Sequence, residues 1–220
     1  MEPYYQDDFA TIYHGDCREV LRDLLGGGLV ADLVLMDPPY GNGTAYAEFD
    51  DSAENVAALV GEVMPLVLEV AQVVFVTPGV ANIHLYPAPK WTLCWVTPAG
   101  AGSGPWGFSC WQPVLAYGPD PYLRDLKGRR PDTLIKTESS ASTIGDHPCP
   151  KPIDVWRWMV TRGSTRATDV ILDPFMGSGT TLRAAKDCGR RSIGIELSER
   201  YCEIAAKRLA QEVLDFGGVA

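Results

Sequence analysis

Four short apolar runs constrain the fold of this chain more than any other feature. They are Ala31-Asp32-Leu33-Val34-Leu35-Met36, Gln72-Val73-Val74-Phe75-Val76-Thr77, Asp169-Val170-Ile171-Leu172 and Arg191-Ser192-Ile193-Gly194-Ile195. Each is too short for a helix and too continuously apolar for a strand with one face in water, so each reads as a strand buried on both sides. Between them lie stretches with helical spacing: Cys17 to Leu25, Ala53 to Val70, Ile153 to Thr161, Thr180 to Cys188 and Ser198 to Val213. Strand and helix in alternation build a doubly wound α/β sheet whose strands are mostly parallel. Phe9 to His14, Lys90 to Val96 and Trp111 to Tyr117 read as further strands, and Pro65 is expected to bend or break the second helix. The Gly-rich segment Ala99 to Gly107 is too long and flexible for a tight hairpin and reads as a loop or lid.

A chain of 220 residues, 46% of them hydrophobic, can bury one substantial core, which predicts a single domain over residues 1–220. No apolar run is long enough to span a bilayer and the first residues are acidic, so the expectation is a cytoplasmic protein without membrane contact. The six cysteines form no C-x-x-C pair and the three histidines have no ligand spacing; neither a metal nor a disulfide framework is expected. The net charge of -9 argues against a wide nucleic-acid-binding face unless basic residues are concentrated locally. Such a concentration exists where periodicity fails: Arg124, Lys127, Arg129, Arg130 and Lys136 against Asp125 and Asp132. A solvated surface loop would look the same.

Chemistry gathers where strands end. Asp37-Pro38-Pro39-Tyr40 follows the first apolar run, at the carboxyl edge where open α/β sheets bind ligands, and two prolines stiffen the turn. A carboxylate, a proline carbonyl and an aromatic ring suit a planar heterocycle bearing an NH2 group. Asp173-Pro174-Phe175-Met176-Gly177-Ser178-Gly179-Thr180 joins a strand to a helix; it lacks the lysine of a P-loop, and Leu182 stands where a dinucleotide fingerprint has its third glycine. The turn therefore suits an uncharged or cationic adenosyl group. Glu196 ends the next strand, placed to accept from the two hydroxyls of a ribose. Asp16 ends the first strand, where local evidence makes it a helix cap.

In this order, Asp37-Pro38-Pro39-Tyr40 ahead of the glycine turn, the chain resembles the beta group of DNA amino-methyltransferases, a circularly permuted Rossmann-like methyltransferase fold with one antiparallel strand. His147-Pro148-Cys149-Pro150-Lys151-Pro152 resembles that group's cofactor-side motif. The resemblance implies S-adenosylmethionine as methyl donor. It implies a donor pocket made by Asp16, Lys151, Asp173, Phe175, Gly177, Gly179, Thr180 and Glu196, with Asp37, Pro38, Pro39 and Tyr40 as the catalytic tetrapeptide. It further implies double-stranded DNA as partner, with the target base flipped out of the helix, and it allows a homodimer. The N6 amine of adenine is the expected acceptor, N4 of cytosine the alternative. Residues 118–146 then become a short target-recognition loop in which Arg124, Lys127, Arg129 and Arg130 hold phosphates. A non-catalytic nucleic-acid-binding subunit with the same fold is the competing class, and the presence of Asp37, Tyr40 and the glycine turn counts against it.

Overall fold

A computed structural model of the protein describes residues 1–46, 48–97, 102–126, 128–135 and 152–211. In chain order the elements are β1 (Tyr5–Gln6), β2 (Ala10–His14), α1 (Cys17–Gly26), β3 (Ala31–Met36), α2 (Ala53–Val70), β4 (Ala71–Val76), β5 (Trp91–Val96), β6 (Gly102–Gly104), β7 (Gly107–Ser109), β8 (Trp111–Tyr117), α3 (Pro121–Leu126), β9 (Thr133–Ile135), α4 (Ile153–Gly163), β10 (Val170–Asp173), α5 (Thr180–Asp187), β11 (Arg191–Glu196) and α6 (Glu199–Ala210). The main sheet runs β1-β2-β11-β10-β3-β4-β8-β5-β9, and β6 and β7 form a separate two-stranded sheet among the described residues.

Strand alternation explains how both faces are filled. Val34, Met36, Val74 and Val76 point to one face and meet α1 and α2 through Leu21, Val60, Val63 and Val67. Their neighbours Leu33, Leu35, Val73 and Phe75 point to the other and meet α4 and α5 through Val155, Met159, Val160 and Ala184. A continuous apolar run in sequence is therefore a strand with a helix layer on each side.

β3 and β10 are parallel neighbours, but the chain leaves them in opposite directions: β3 leads through α2 to β4, and β10 leads through α5 to β11. The loops after β3 and β10 therefore diverge to opposite faces and open a crevice at the carboxyl edge. This is the topological switch point, where doubly wound sheets bind ligands.

Four expectations change. Two strands of the main sheet run antiparallel rather than one: β8, and the short β1 against β2. Helix α2 continues through Pro65, which lies on the exposed side four residues after exposed Gly61, so the carbonyl that proline frees meets water. The glycine-rich segment after β5 does form a hairpin, β6 and β7, closed by Pro105-Trp106 with Gly107 at φ 116°. Residues 118–135 contain α3 and β9, six and three residues long, too short to show a period in sequence. No helix among the described residues is long and apolar enough to cross a membrane. Of the described cysteines, only Cys17 and Cys202 are buried.

Candidate active site

Neighbouring strand ends converge on one cavity of about 560 Å³. Along the carboxyl edge stand Asp16 after β2, Glu196 ending β11, Asp173 ending β10, Asp37 after β3 and Thr77 after β4. Asp16, Asp37, Pro38, Pro39, Tyr40, Asp173, Phe175, Gly177, Thr180 and Glu196 all line the cavity, so most of the residues singled out in sequence meet there.

Asp37 is held from two directions. Its Oδ1 accepts from the Thr77 hydroxyl at 2.6 Å and from the Tyr40 hydroxyl. The Tyr40 ring lies against Gly79, where a Cβ would come within 3.4 Å of it and where φ is +70°, so the glycine gives the ring its place. Asn82 donates to the Tyr40 carbonyl at 2.7 Å. Buried Asp51 accepts from the backbone N–H groups of Gly41, Asn42 and Thr44 and so ties down the loop after the tetrapeptide. Thr77, Asn82 and Asp51 were not legible in the sequence as site residues, because each acts through a contact at least seven positions away.

Asp173 is 3% exposed, and burial pushes its carboxyl up to about 7, with the charges of Asp37 and Glu196 adding to the effect. Its Oδ1 accepts from Phe175 N–H at 2.9 Å, and the Thr181 hydroxyl also bonds to it. That hydroxyl in turn accepts from the Trp156 indole at 2.9 Å. Burial likewise raises Glu196. Its two oxygens accept from Gly177 N–H and Ser198 N–H, both at 2.9 Å, so the carboxylate fixes the glycine turn and the start of α6. Ser198, at the start of α6, makes no side-chain capping bond. Glu196 would reach a ribose through its remaining lone pairs only.

Asp16 does cap α1, accepting from Arg18 N–H at 2.8 Å, and the Arg18 guanidinium bonds to both of its oxygens. The pairing with Arg18 holds its carboxyl below the ordinary value. Gly179 needs correction as a cavity residue. It sits at φ +79° with a Cβ position 2.8 Å from the Ala205 side chain, so its missing side chain lets the turn close onto α6. Gly179 N–H is also spent internally, on the Met176 carbonyl. With Gly177 N–H on Glu196, the turn is no phosphate cradle.

The basic cluster stands elsewhere. β8 runs antiparallel to β4, so the chain leaves Tyr117 at the amino edge of the sheet, and the Cβ position of Gly118 would collide with the Gln72 carbonyl at the start of β4. Arg124 there bonds to Gln72 and to Asp125. Arg130 donates to the Thr161 and Arg162 carbonyls at the end of α4 and stacks on Tyr122. It is a helix-end clasp. Exposed Arg129 lies at the same edge. The antiparallel course of β8 thus takes Arg124, Arg129 and Arg130 to the side opposite Asp37. Lys127, Lys151 and the motif from His147 to Pro150 lie outside the described residues.

Chemically the cavity is acidic. Asp16, Asp37, Glu48, Asp173 and Glu196 line it against Arg18, which is already paired with Asp16 and Glu62. Phe175, Tyr46 and Tyr201 supply flat apolar surface. A cationic ligand with an aromatic group and hydroxyls fits such a lining. Among the described residues no group of His, Cys, Asp or Glu is placed to hold a metal ion.

Solved structures of similar fold include DNA methyltransferases. The chain superposes on the M1.HpyAVI–SAM complex with a TM-score of 0.66 at 23% identity, over 92% of this chain and 100% of that one. With PvuII DNA methyltransferase (cytosine-N4-specific) the TM-score is 0.70 at 17% identity, over 97% of this chain and 90% of that one. At such identities the likeness concerns the fold. In sequence, the chain is 27% identical to the Type II methyltransferase M.ScaI of Streptomyces caespitosus, over 96% of this chain and 84% of that one. It is 48% identical to M2.DpnII of Streptococcus pneumoniae across 76 residues, 34% of this chain and 28% of that one. The DNA methylase family model matches residues 92–207, more than half the chain and inclusive of the glycine turn and Glu196, and the protein belongs to that family, the N6/N4 DNA methylases.

Proposed function

We propose that the protein transfers a methyl group from S-adenosylmethionine to the N6 amine of adenine in double-stranded DNA, with the target base swung out of the helix into the crevice beside Asp37. The observation that carries this reading is the Asp37 carboxylate, fixed by Thr77 and Tyr40 in the same acidic cavity that Asp173, Phe175 and Glu196 line. The acidic, aromatic lining suits the sulfonium cation and adenosyl group of the donor, and M1.HpyAVI, a protein of like fold, has been solved in complex with it. When bound there the donor supplies an electrophilic methyl group.

The chain's own residues act on the acceptor. An exocyclic amine is a poor nucleophile because its lone pair is delocalised into the ring. Asp37, and the carbonyl of Pro38 held rigid between two prolines, accept hydrogen bonds from the amine's two N–H groups and favour a more tetrahedral nitrogen; as the N–C bond forms the donor's S–C bond breaks, the neutral thioether leaves, and the surplus amine proton passes by way of Asp37 to water. Thr77 and Tyr40 fix the carboxylate before the base arrives, so little reorganisation is left to the reaction. A flat Tyr40 ring offsets part of the unstacking cost of roughly a few kcal/mol. Asp37 ahead of the two prolines favours adenine, since the resembling enzymes more often have serine there for cytosine N4.

Labelled donor and unmethylated DNA, followed by nucleoside mass analysis, test the proposal. N6-methyladenine is the expected product, and N4-methylcytosine would keep the mechanism but change the base. Asp37→Ala should abolish transfer while leaving donor binding intact; full activity in that variant would refute the mechanism. The type II names of M.ScaI and M2.DpnII favour a place in a restriction-modification system. A homodimer is read directly by sedimentation.

A further inference from the structure

Resting on the proposed DNA reading, we infer that the β6–β7 hairpin is a wedge whose Trp106 enters the base stack of duplex DNA beside the extruded target. Topology puts the hairpin on the correct side. Val76, the last residue of β4, pairs with Leu115, and β8 begins four residues beyond that level, at Trp111. The ladder continues outward, with Thr97 N–H donating to the Cys110 carbonyl at 2.8 Å. The β5–β8 ribbon therefore rises above the edge that holds Asp37, two to three strand spacings, or about 10–15 Å, to its side. Trp106 lies nine residues past Leu115, a reach of at most about 30 Å.

Among the described residues, the side chains at its tip are left almost fully exposed. Trp106 is 102% exposed and Phe108 84%, whereas Trp95 and Trp156 are buried at 6% and 2%. Two strands of three residues with no core beneath them are marginal in water, so the arm gains its order from what it meets. Residues 97–111 contain no charged side chain, in a chain of net charge -9. The arm can thus approach a polyanion without the repulsion the rest of the protein would exert. The arginines of residues 124–130 face the opposite edge, which leaves stacking as the arm's means of holding DNA. Extruding a base leaves a gap one ring thick, and a flat apolar side chain fills such a gap at a kinked step.

Trp106→Ala tests this, since removing a fully exposed side chain leaves the fold intact. The recognition sequence is first mapped on methylated genomic DNA. Methylation rates are then compared on two duplexes, one with the target base paired and one with it opposite a mismatch that lowers the cost of extrusion. The variant should be at least about tenfold slower than the parent on the paired duplex, within about twofold on the mismatched one, and restored in large part by Trp106→Phe. Equal rates on the paired duplex, or equal losses on both, would overturn the wedge. So would a change from dimer to monomer on sedimentation, which would make the arm a contact between copies. If the parent protein methylates no DNA, the underlying function fails and the wedge with it.

Discussion

Replacing Asp173 with Asn should stabilise the protein and remove part of its pH dependence. Asp173 is 3% exposed and its carboxyl is raised from 3.8 to about 7, chiefly by burial. Below both values folded and unfolded chains each hold the proton; between them only the folded chain does; above them neither does. Stability therefore falls as pH rises through the window from about 4 to about 7, and stays lowered above it. A shift of roughly three pK units sets the full penalty on the order of 4 kcal/mol, of which on the order of 1 kcal/mol is lost between about pH 6 and pH 8.5. An amide is neutral throughout, and its oxygen can still accept from Phe175 N–H. Urea unfolding at the two pH values measures this directly, provided the slope m is unchanged. The variant should lead by about 2–4 kcal/mol at about pH 8.5, and the lead should narrow at about pH 6. Glu196, also raised, adds the same trend to both proteins, so that only its coupling to Asp173 enters the difference. Parallel curves would refute the assignment of the buried charge to Asp173.

Three further substitutions separate catalysis from support. Thr77→Val removes a donor 2.6 Å from Asp37 and should lower kcat about 10–100-fold, with donor affinity unchanged in a calorimetric titration. Gly179→Ala places a Cβ 2.8 Å from that of Ala205 at a φ of +79°, and should cost about 2–4 kcal/mol in urea unfolding. Arg130→Ala unclasps the end of α4 and should cost about 1–3 kcal/mol of stability, while the salt dependence of DNA binding stays as it was. A slope reduced by about one phosphate contact would return Arg130 to the DNA interface.

The sequence by itself determined the layers and the chemistry at the strand ends. A run such as Leu33 to Met36 is buried on both faces wherever it sits in a sheet, and Asp37-Pro38-Pro39-Tyr40 and the glycine turn announce themselves because each is contiguous. Only the tertiary structure decided what depends on strand order and direction. β10 beside β3 brings Asp173 and Asp37 to one crevice from positions far apart in the chain, and Thr77 reaches Asp37 because β4 lies next to β3. The direction of β8 sends the basic residues after it to the amino edge and the uncharged hairpin before it to the carboxyl edge. Local composition marks charge and aromaticity but carries no information about which edge of a sheet a loop returns to. That is fixed by long-range hydrogen-bonded pairing, which no short window of residues contains.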